Sequence, residues 1–469
     1  MDSQINKKYN YWHWRTLIIL MIGYALFYFV RKNFSIAMPA LESELGFSKT
    51  QLGIFLTLNG VIYGVSRLLN GFLSDKIKNK KGLMALGLLL SALVNIAIGF
   101  IPSVNAFFNV LDAEGKATMG FIYLMGSLWL INGLLQGMGY PPCSSLMAHW
   151  IKPSELATKQ SIWNASHSLG AGALGFLIAF ILGHFSNAAW QWCFWVPAIL
   201  AIMGAALIFF GIKNTPQEVG LPSVHELDTA NKKEQPEQKI NMSAEAEARV
   251  SKRCLKEMVL ANPVIWLISI ADFFVYIIRF TILDWGSTIL VQFKGMAPAR
   301  AASTIGAMEI VGGILGCIVA GWLTDHFFKG RAQRTSAIFT LLATVCLALF
   351  WVAPKSDWLS IVLIVLSAFF IYGPQALLGI ACSNQATKYG AASANGICGI
   401  FAYLAPIVSG VVFGAITEHT GSWNLVFLLS ISMGIIGTLV LAALWRRPGD
   451  GYAKVDKIIA EVKSELGEE

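Results

Sequence analysis

The sequence predicts an all-α polytopic membrane protein, with twelve transmembrane helices in two pseudo-symmetric six-helix halves. Three observations carry this expectation. Of 469 residues, 55% are hydrophobic and 13% charged, where a soluble domain carries ~25% charge. The apolar residues fall in runs of about 20, the length that crosses a hydrocarbon core of ~30 Å at a rise of 1.5 Å per residue. Several motifs of the first half recur at matching places in the second.

Taken in order, the first half holds expected spans at 16–40, 51–74, 82–102, 119–148, 159–183 and 189–212. Lys7, Lys8, Trp12 and Trp14 before the first span read as an interfacial anchor, not as a cleavable signal peptide. Ser48 with Gln51 fits a capping box at the start of the second span. Residues 213–258 break the apolar pattern with Pro216, Pro222, Pro236 and many Lys and Glu, as expected of a cytoplasmic linker. Within it, 243–260 reads either as an amphipathic surface helix, with Arg249, Lys252, Arg253 and Lys256 at headgroup level, or as a solvated basic loop. Spans resume at 260–291, 301–325, 335–353, 357–381, 391–416 and 423–445. The expected division is therefore a half at 1–212, a linker at 213–258, a half at 259–446 and a cytoplasmic tail at 447–469.

The net charge of +8 does not point to nucleic acid, because the basic residues follow topology. Lys76, Lys78, Lys80 and Lys81, then Lys152 and Lys159, then Lys329, Arg331 and Arg334 all fall on alternate connections. The positive-inside bias then makes both termini cytoplasmic. The seven cysteines form no C-x-x-C pair and fall mostly within spans, which argues against a disulfide framework or a metal site. No phosphate-binding G-x-x-x-x-G-K-[ST] loop is present, so transport would be secondary, with no cofactor.

Two arginines lie deep in apolar spans, Arg31 and Arg279, and each follows a tyrosine by three residues: Tyr28 and Tyr276. They stand 248 positions apart, roughly half the chain. A guanidinium at helix-centre depth costs roughly 2.5–3.5 kcal/mol on insertion scales. Carrying that cost twice, at matching positions, points to an anion held by the pair. Arginine presents a rigid bidentate fork to phosphoryl oxygens. Snorkelling, or ion pairs with Asp272, Asp284 or Glu309, are the competing readings. Gly71-Phe72-Leu73-Ser74-Asp75 is repeated as Gly321-Trp322-Leu323-Thr324-Asp325, and Tyr140-Pro141-Pro142 is echoed by Tyr372-Gly373-Pro374. Repeats that flank a midplane site are a common transporter design.

Twelve spans, a central linker and the G-x-x-[ST]-D loops resemble the major facilitator superfamily over nearly the whole chain. Within it, Arg31-Lys32-Asn33-Phe34 with Ala37-Met38-Pro39 closely resembles the organophosphate:phosphate antiporters, which include the glycerol-3-phosphate and hexose-6-phosphate transporters. So do Phe274-Val275-Tyr276 with Arg279 and Asp284-Trp285, Gly139 with Pro141-Pro142-Cys143 and His149-Trp150, and Trp163-Asn164 with His167. The resemblance implies exchange of a phosphorylated metabolite, either hexose phosphate or glycerol 3-phosphate, for inorganic phosphate. It implies a site in a bacterial inner membrane protein, expected as a monomer in the lipid bilayer with no nucleic-acid partner. A membrane sensor of external sugar phosphate and a proton-coupled organic-anion symporter are the alternatives.

The resemblance gives Arg31, Arg279 and His167 as phosphate ligands, with Tyr28, Tyr276 and Arg67 beside them. The family carries a lysine where Arg67 stands; cytoplasmic snorkelling is the other reading of Arg67. His167 with Asn164 could equally be a hydrogen-bonded packing pair among Gly170, Gly172 and Gly175. Asn164, Tyr140, Gln136, Tyr372, Gln375, Asn395 and Tyr403 are candidate contacts for the substrate tail. Lys32 points away from Arg31 and is expected in an ion pair with an acid of its own half. Glu309 and Asp272 are candidates for proton coupling or charge balance, and Asp75 and Asp325 for gating. The hexose-6-phosphate transporters carry an Asp and a Lys in the segment matching Asn395 to Cys398, so the tail specificity stays open.

Overall fold

The computed structural model describes residues 3–185, 189–224 and 243–466. Among these, twelve helices are long and apolar enough to cross a membrane. They are α1 (Gln4–Leu45), α2 (Lys49–Ser74), α3 (Lys80–Gly99), α4 (Met119–Trp150), α5 (Ile162–His184), α6 (Trp190–Gly211), α7 (Pro263–Gln292), α8 (Pro298–Phe328), α9 (Ala332–Val352), α10 (Asp357–Thr387), α11 (Tyr389–Thr420) and α12 (Asn424–Ala443). Lipid demands that the backbone groups of a spanning segment be satisfied within the protein, chiefly within the helix itself.

The local signals are honoured where they are strong. Ser48 Oγ accepts from Gln51 N at 3.2 Å while Ser48 N donates to Gln51 Oε1 at 3.0 Å, completing the capping box. Gly46, at φ 72°, ends α1 in the left-handed conformation that glycine adopts without a Cβ penalty. The Pro141-Pro142 pair opens the second segment of α4 after a break at 137–139. α10 and α11 meet at a kink at Thr387, whose backbone is non-helical at φ 54° and ψ −168°.

Two compact units emerge. One comprises Met1–Gln235, Asp284–Ile310 and Gly410–His419; the other comprises Pro236–Leu283, Val311–Ser409 and Thr420–Glu469. In the first unit, α1 packs on α5 and α6, α2 on α4, and α3 on α6. Its core gathers Leu20, Tyr24, Phe27, Met84, Leu88, Met147, Trp163 and Ile208. Glycines bring α5 and α8 together there: a Cβ on Gly175 would lie 2.5 Å from Gly306 N, a small-residue contact of the kind that packs helices in lipid. In the second unit, α9 packs on α12 and on the 357–407 segment.

The linker segment is an amphipathic helix, as one of the two sequence readings had it, but its apolar face is covered by protein. Ala244–Cys254 is helical, with Ser243 Oγ capping Ala246 N at 3.1 Å. Its apolar face does not lie open to headgroups. The tail is also helical, Tyr452–Leu466, and covers that face. Ala246, Val250, Cys254 and Met258 bury against Val455, Ile458, Ile459 and Val462. Arg253 bonds Glu257 and Glu461 at 2.8 and 2.6 Å, so it serves protein carboxylates here. Two amphipathic helices from distant parts of the chain satisfy one another, which a linear reading of either segment does not reveal.

Candidate functional site

Arg31 occupies an interruption of α1. The chain is helical over Ser3–Phe29 and again over Asn33–Leu45, with residues 30–32 between. A regular helix would satisfy the Val30 carbonyl through the amide four residues on. Here Asn132 Nδ2 donates to it at 2.8 Å and Asn95 Nδ2 at 3.2 Å. Asn33 Nδ2 donates to Asn95 Oδ1 at 2.9 Å. Asn33, Asn95 and Asn132 are all fully buried, so these amides exist to hold the break. Sequence reading treated the first span as continuous and missed these residues; the available signal was three asparagines inside apolar runs. Gln136, a candidate tail contact, belongs to the same polar ladder: it is buried and its Nε2 donates to Ser91 Oγ at 3.3 Å.

Aromatic rings surround the cation. The Arg31 guanidinium lies 3.9 Å from the centroid of Tyr63 and 5.1 Å from that of Tyr28. A ring face engages the flat surface of a guanidinium, while its N–H edge is the part that matches a phosphoryl group. Arg67 lies 3.9 Å over the Tyr140 ring. Tyr24 stands 4.6 Å from Trp163 and 6.4 Å from Tyr140 between ring centroids. The His167 ring is 5.8 Å from that of Tyr28, and its Nδ1 bonds the Asn164 carbonyl one turn earlier. Helices α1, α2, α4 and α5 thus bring Arg31, Arg67, Tyr28, Tyr140 and His167 into one aromatic-lined cluster, while the Asn164 side chain is exposed.

Lys32 is paired, but not with an acid of its own half. Its Nζ meets Asp284 Oδ1 at 2.7 Å, on α7. The same unit holds Gln292 bonded to Glu42, Ser287 Oγ donating to Ile36 O at 3.2 Å, and Thr50 N donating to Glu418 Oε2 at 2.8 Å. Glu309 is buried in this unit as well.

The second arginine has a different setting. Arg279 lies within a continuous helix, Pro263–Gln292, and is 8% exposed. The rings of Phe280, Tyr372 and Tyr276 lie 5.3, 5.4 and 5.5 Å from its guanidinium. The aromatic setting of the first copy recurs without the helix break. Asp272, two turns earlier, is buried and accepts from the Cys398 thiol at 3.2 Å. Tyr372 is buried, Gln375 partly so, and Asn395 and Tyr403 are exposed. Asp325 is exposed, and the side chain of Asp75 lies outside the described residues.

The family model of the Major Facilitator Superfamily matches residues 20–410. A glycerol-3-phosphate transporter of Bacillus subtilis (strain 168) is 35% identical over 95% of this chain and 95% of its own. A probable hexose phosphate transport protein of Chlamydia pneumoniae is 32% identical over 94% of this chain and 93% of its own. Among solved structures, a D-xylose-proton symporter aligns with a TM-score of 0.67 at 13% identity, covering 92% of this chain and 97% of that one, which shows the shared fold. This is a membrane transport protein, not an enzyme. The chain belongs to the major facilitator superfamily, and within it to the organophosphate:phosphate antiporter family that its motifs resemble.

Proposed function

We propose that this chain carries phosphorylated small metabolites across a bacterial inner membrane by alternating access, in exchange for inorganic phosphate, with both termini cytoplasmic. One observation carries the reading: Arg31 is held at a break in α1 by dedicated asparagine amides, its guanidinium against tyrosine rings. A fold that interrupts a membrane helix to place a cation is built to receive an anion. The recurrence of Tyr-x-x-Arg at Tyr276 and Arg279, again among rings, supports a second ligand of the same kind. The relatives named above carry phosphate esters.

In this reading Arg31 and Arg279 each give a guanidinium to one phosphoryl group. His167, Tyr28, Tyr276 and Arg67 add donors or positive field. Bound phosphate neutralises cations that are costly to move through a dry, closed state. That lowers the barrier for the loaded protein alone and favours exchange over uniport. The ligand drives the change only through its differential affinity for the two states.

Phosphate-loaded proteoliposomes test this. Efflux of labelled phosphate should follow external glucose 6-phosphate or glycerol 3-phosphate, and should not follow glucose or glycerol. Efflux that ignores every ester, with intact ligand binding, would favour a sensor. Uptake driven by a pH gradient without internal phosphate would favour proton symport.

A further inference from the structure

We infer that Lys329, Arg331 and Asn384 form a phosphoryl-anion site at the foot of the C-terminal tail, for the oxyanion of an anionic phospholipid headgroup or of a soluble phosphate ester. The three line a cavity of about 370 Å³, closed on its other side by Pro448, Gly449, Asp450 and Tyr452 of the tail. Small-molecule sites run from roughly 300 to 1,000 Å³, so an esterified phosphate fits. All of these residues belong to the second compact unit.

Amide contacts fasten the tail there. Gln385 Nε2 donates to Pro448 O at 2.7 Å, and Gln333 Nε2 to Arg447 O at 3.0 Å. Gly451 N donates to Asn384 O at 3.1 Å. A Cβ on Gly449 would lie 3.2 Å from Arg331 Cγ, so the tail runs closely across the stem of that arginine. Neighbouring cations already serve the protein. Arg334 Nε donates to Trp445 O at 2.9 Å, and Lys454 Nζ to Glu257 O at 3.0 Å. Lys329 and Arg331 differ: among the described residues neither side chain has a hydrogen bond or ion pair, and nor does the Asn384 side chain. The carboxylate on the rim, Asp450, accepts from Tyr452 N at 3.2 Å at the start of the tail helix, where negative charge is favoured. Two cations and an amide donor therefore share one cavity, a set that matches phosphoryl oxygens.

The cavity stands at the ends of three spans. Lys329 follows the last residue of α8, Arg331 caps α9, and Asn384 lies three residues before the end of α10. Trp322 and Phe327, on the last turns of α8, are exposed, as aromatic residues at a bilayer interface are. A basic pocket between spans at that level suits a lipid headgroup.

Amide exchange of the full chain in phosphatidylcholine nanodiscs, read over 447–456, tests the inference. One arm adds phosphatidylglycerol to the bilayer; the other adds glycerol 3-phosphate to the solution. At about ten times its half-saturating level, the occupant should slow exchange about tenfold. Slowing by phosphatidylglycerol alone identifies a lipid site, and slowing by glycerol 3-phosphate alone a site for soluble esters. Lys329→Asn, at an exposed position whose positive φ suits asparagine, should weaken the effect. Adding Arg331→Gln should abolish it while the melting temperature holds. Arg446→Gln with Arg447→Gln, which removes two exposed cations that do not line the cavity, should leave it intact. No slowing in either arm overturns the inference. So does slowing that survives in the Lys329 and Arg331 double variant, or that is lost equally in the Arg446 and Arg447 double variant, which would mark general surface charge. None of these readouts involves movement of solute across the membrane, so the inference fails or holds separately from the transport reading.

Discussion

Lys32 Nζ lies 2.7 Å from Asp284 Oδ1, joining the residue after the first arginine to a carboxylate five positions beyond the second. Both side chains are largely buried, at 16% and 10% exposure. Desolvation offsets most of the Coulombic gain of such a pair, but removing one partner strands a charge. Asp284→Asn or Lys32→Met alone should therefore destabilise the protein by about 3–5 kcal/mol, and the double variant by much less. Thermal unfolding of the purified protein across the double-mutant cycle checks this; additive losses would contradict it.

The α1 break makes a second prediction. Asn132→Leu removes the 2.8 Å bond to the Val30 carbonyl and leaves it the longer bond from Asn95. The cost should be about 1–3 kcal/mol, the desolvation penalty of a buried polar group losing its partner. If the break serves to position Arg31, phosphate affinity should fall further than stability alone explains. Calorimetric titration with phosphate, at a temperature where the variant is folded, reads that difference.

The α5–α8 contact should tolerate no side chain. Gly175→Val would set atoms within 2.6 Å of the Gly306 backbone, an overpacking of about 1–3 kcal/mol or more. Gly183→Ala, at the open end of the same helix, meets nothing nearer than Ala299 Cβ at 3.8 Å and should be neutral. Comparing the two melting temperatures separates close packing from a general intolerance of α5 to substitution.

The linker–tail helix pair should loosen in acid. The hydrogen bond from Arg253 holds Glu257 below the ordinary carboxylate range, and the same bond raises Arg253. A depressed carboxylate contributes stability that is present above its unfolded value and is lost as pH falls through the lower native value. Amide exchange over 452–466, corrected for intrinsic rates, should speed up across that acid window. Arg253→Gln should remove most of the pH dependence.

The sequence made the spans, the repeat and the arginine pair legible, because bilayer thickness fixes span length and a buried cation stands out against apolar neighbours. Tyr28, Tyr140, His167 and Arg67 share a cluster with Arg31. Other features depended on tertiary contacts. The first span reads as unbroken, since nothing local to Val30–Lys32 stops a helix; the break is stabilised by Asn95 and Asn132 on other spans. Lys32 was expected to pair with an acid of its own half, yet its partner is 252 positions away. The covering of the linker helix was not legible, because its partner, Tyr452–Leu466, stands some 200 residues further on.

The central claim is that two guanidiniums bind one phosphoryl group. Phosphate–phosphate exchange in proteoliposomes tests it most directly, with Arg31→Lys and Arg279→Lys made separately. An ammonium keeps the charge and loses the bidentate fork. Each substitution should cut exchange by about 100-fold or more while the protein stays folded. Near-normal exchange in either variant would contradict the account.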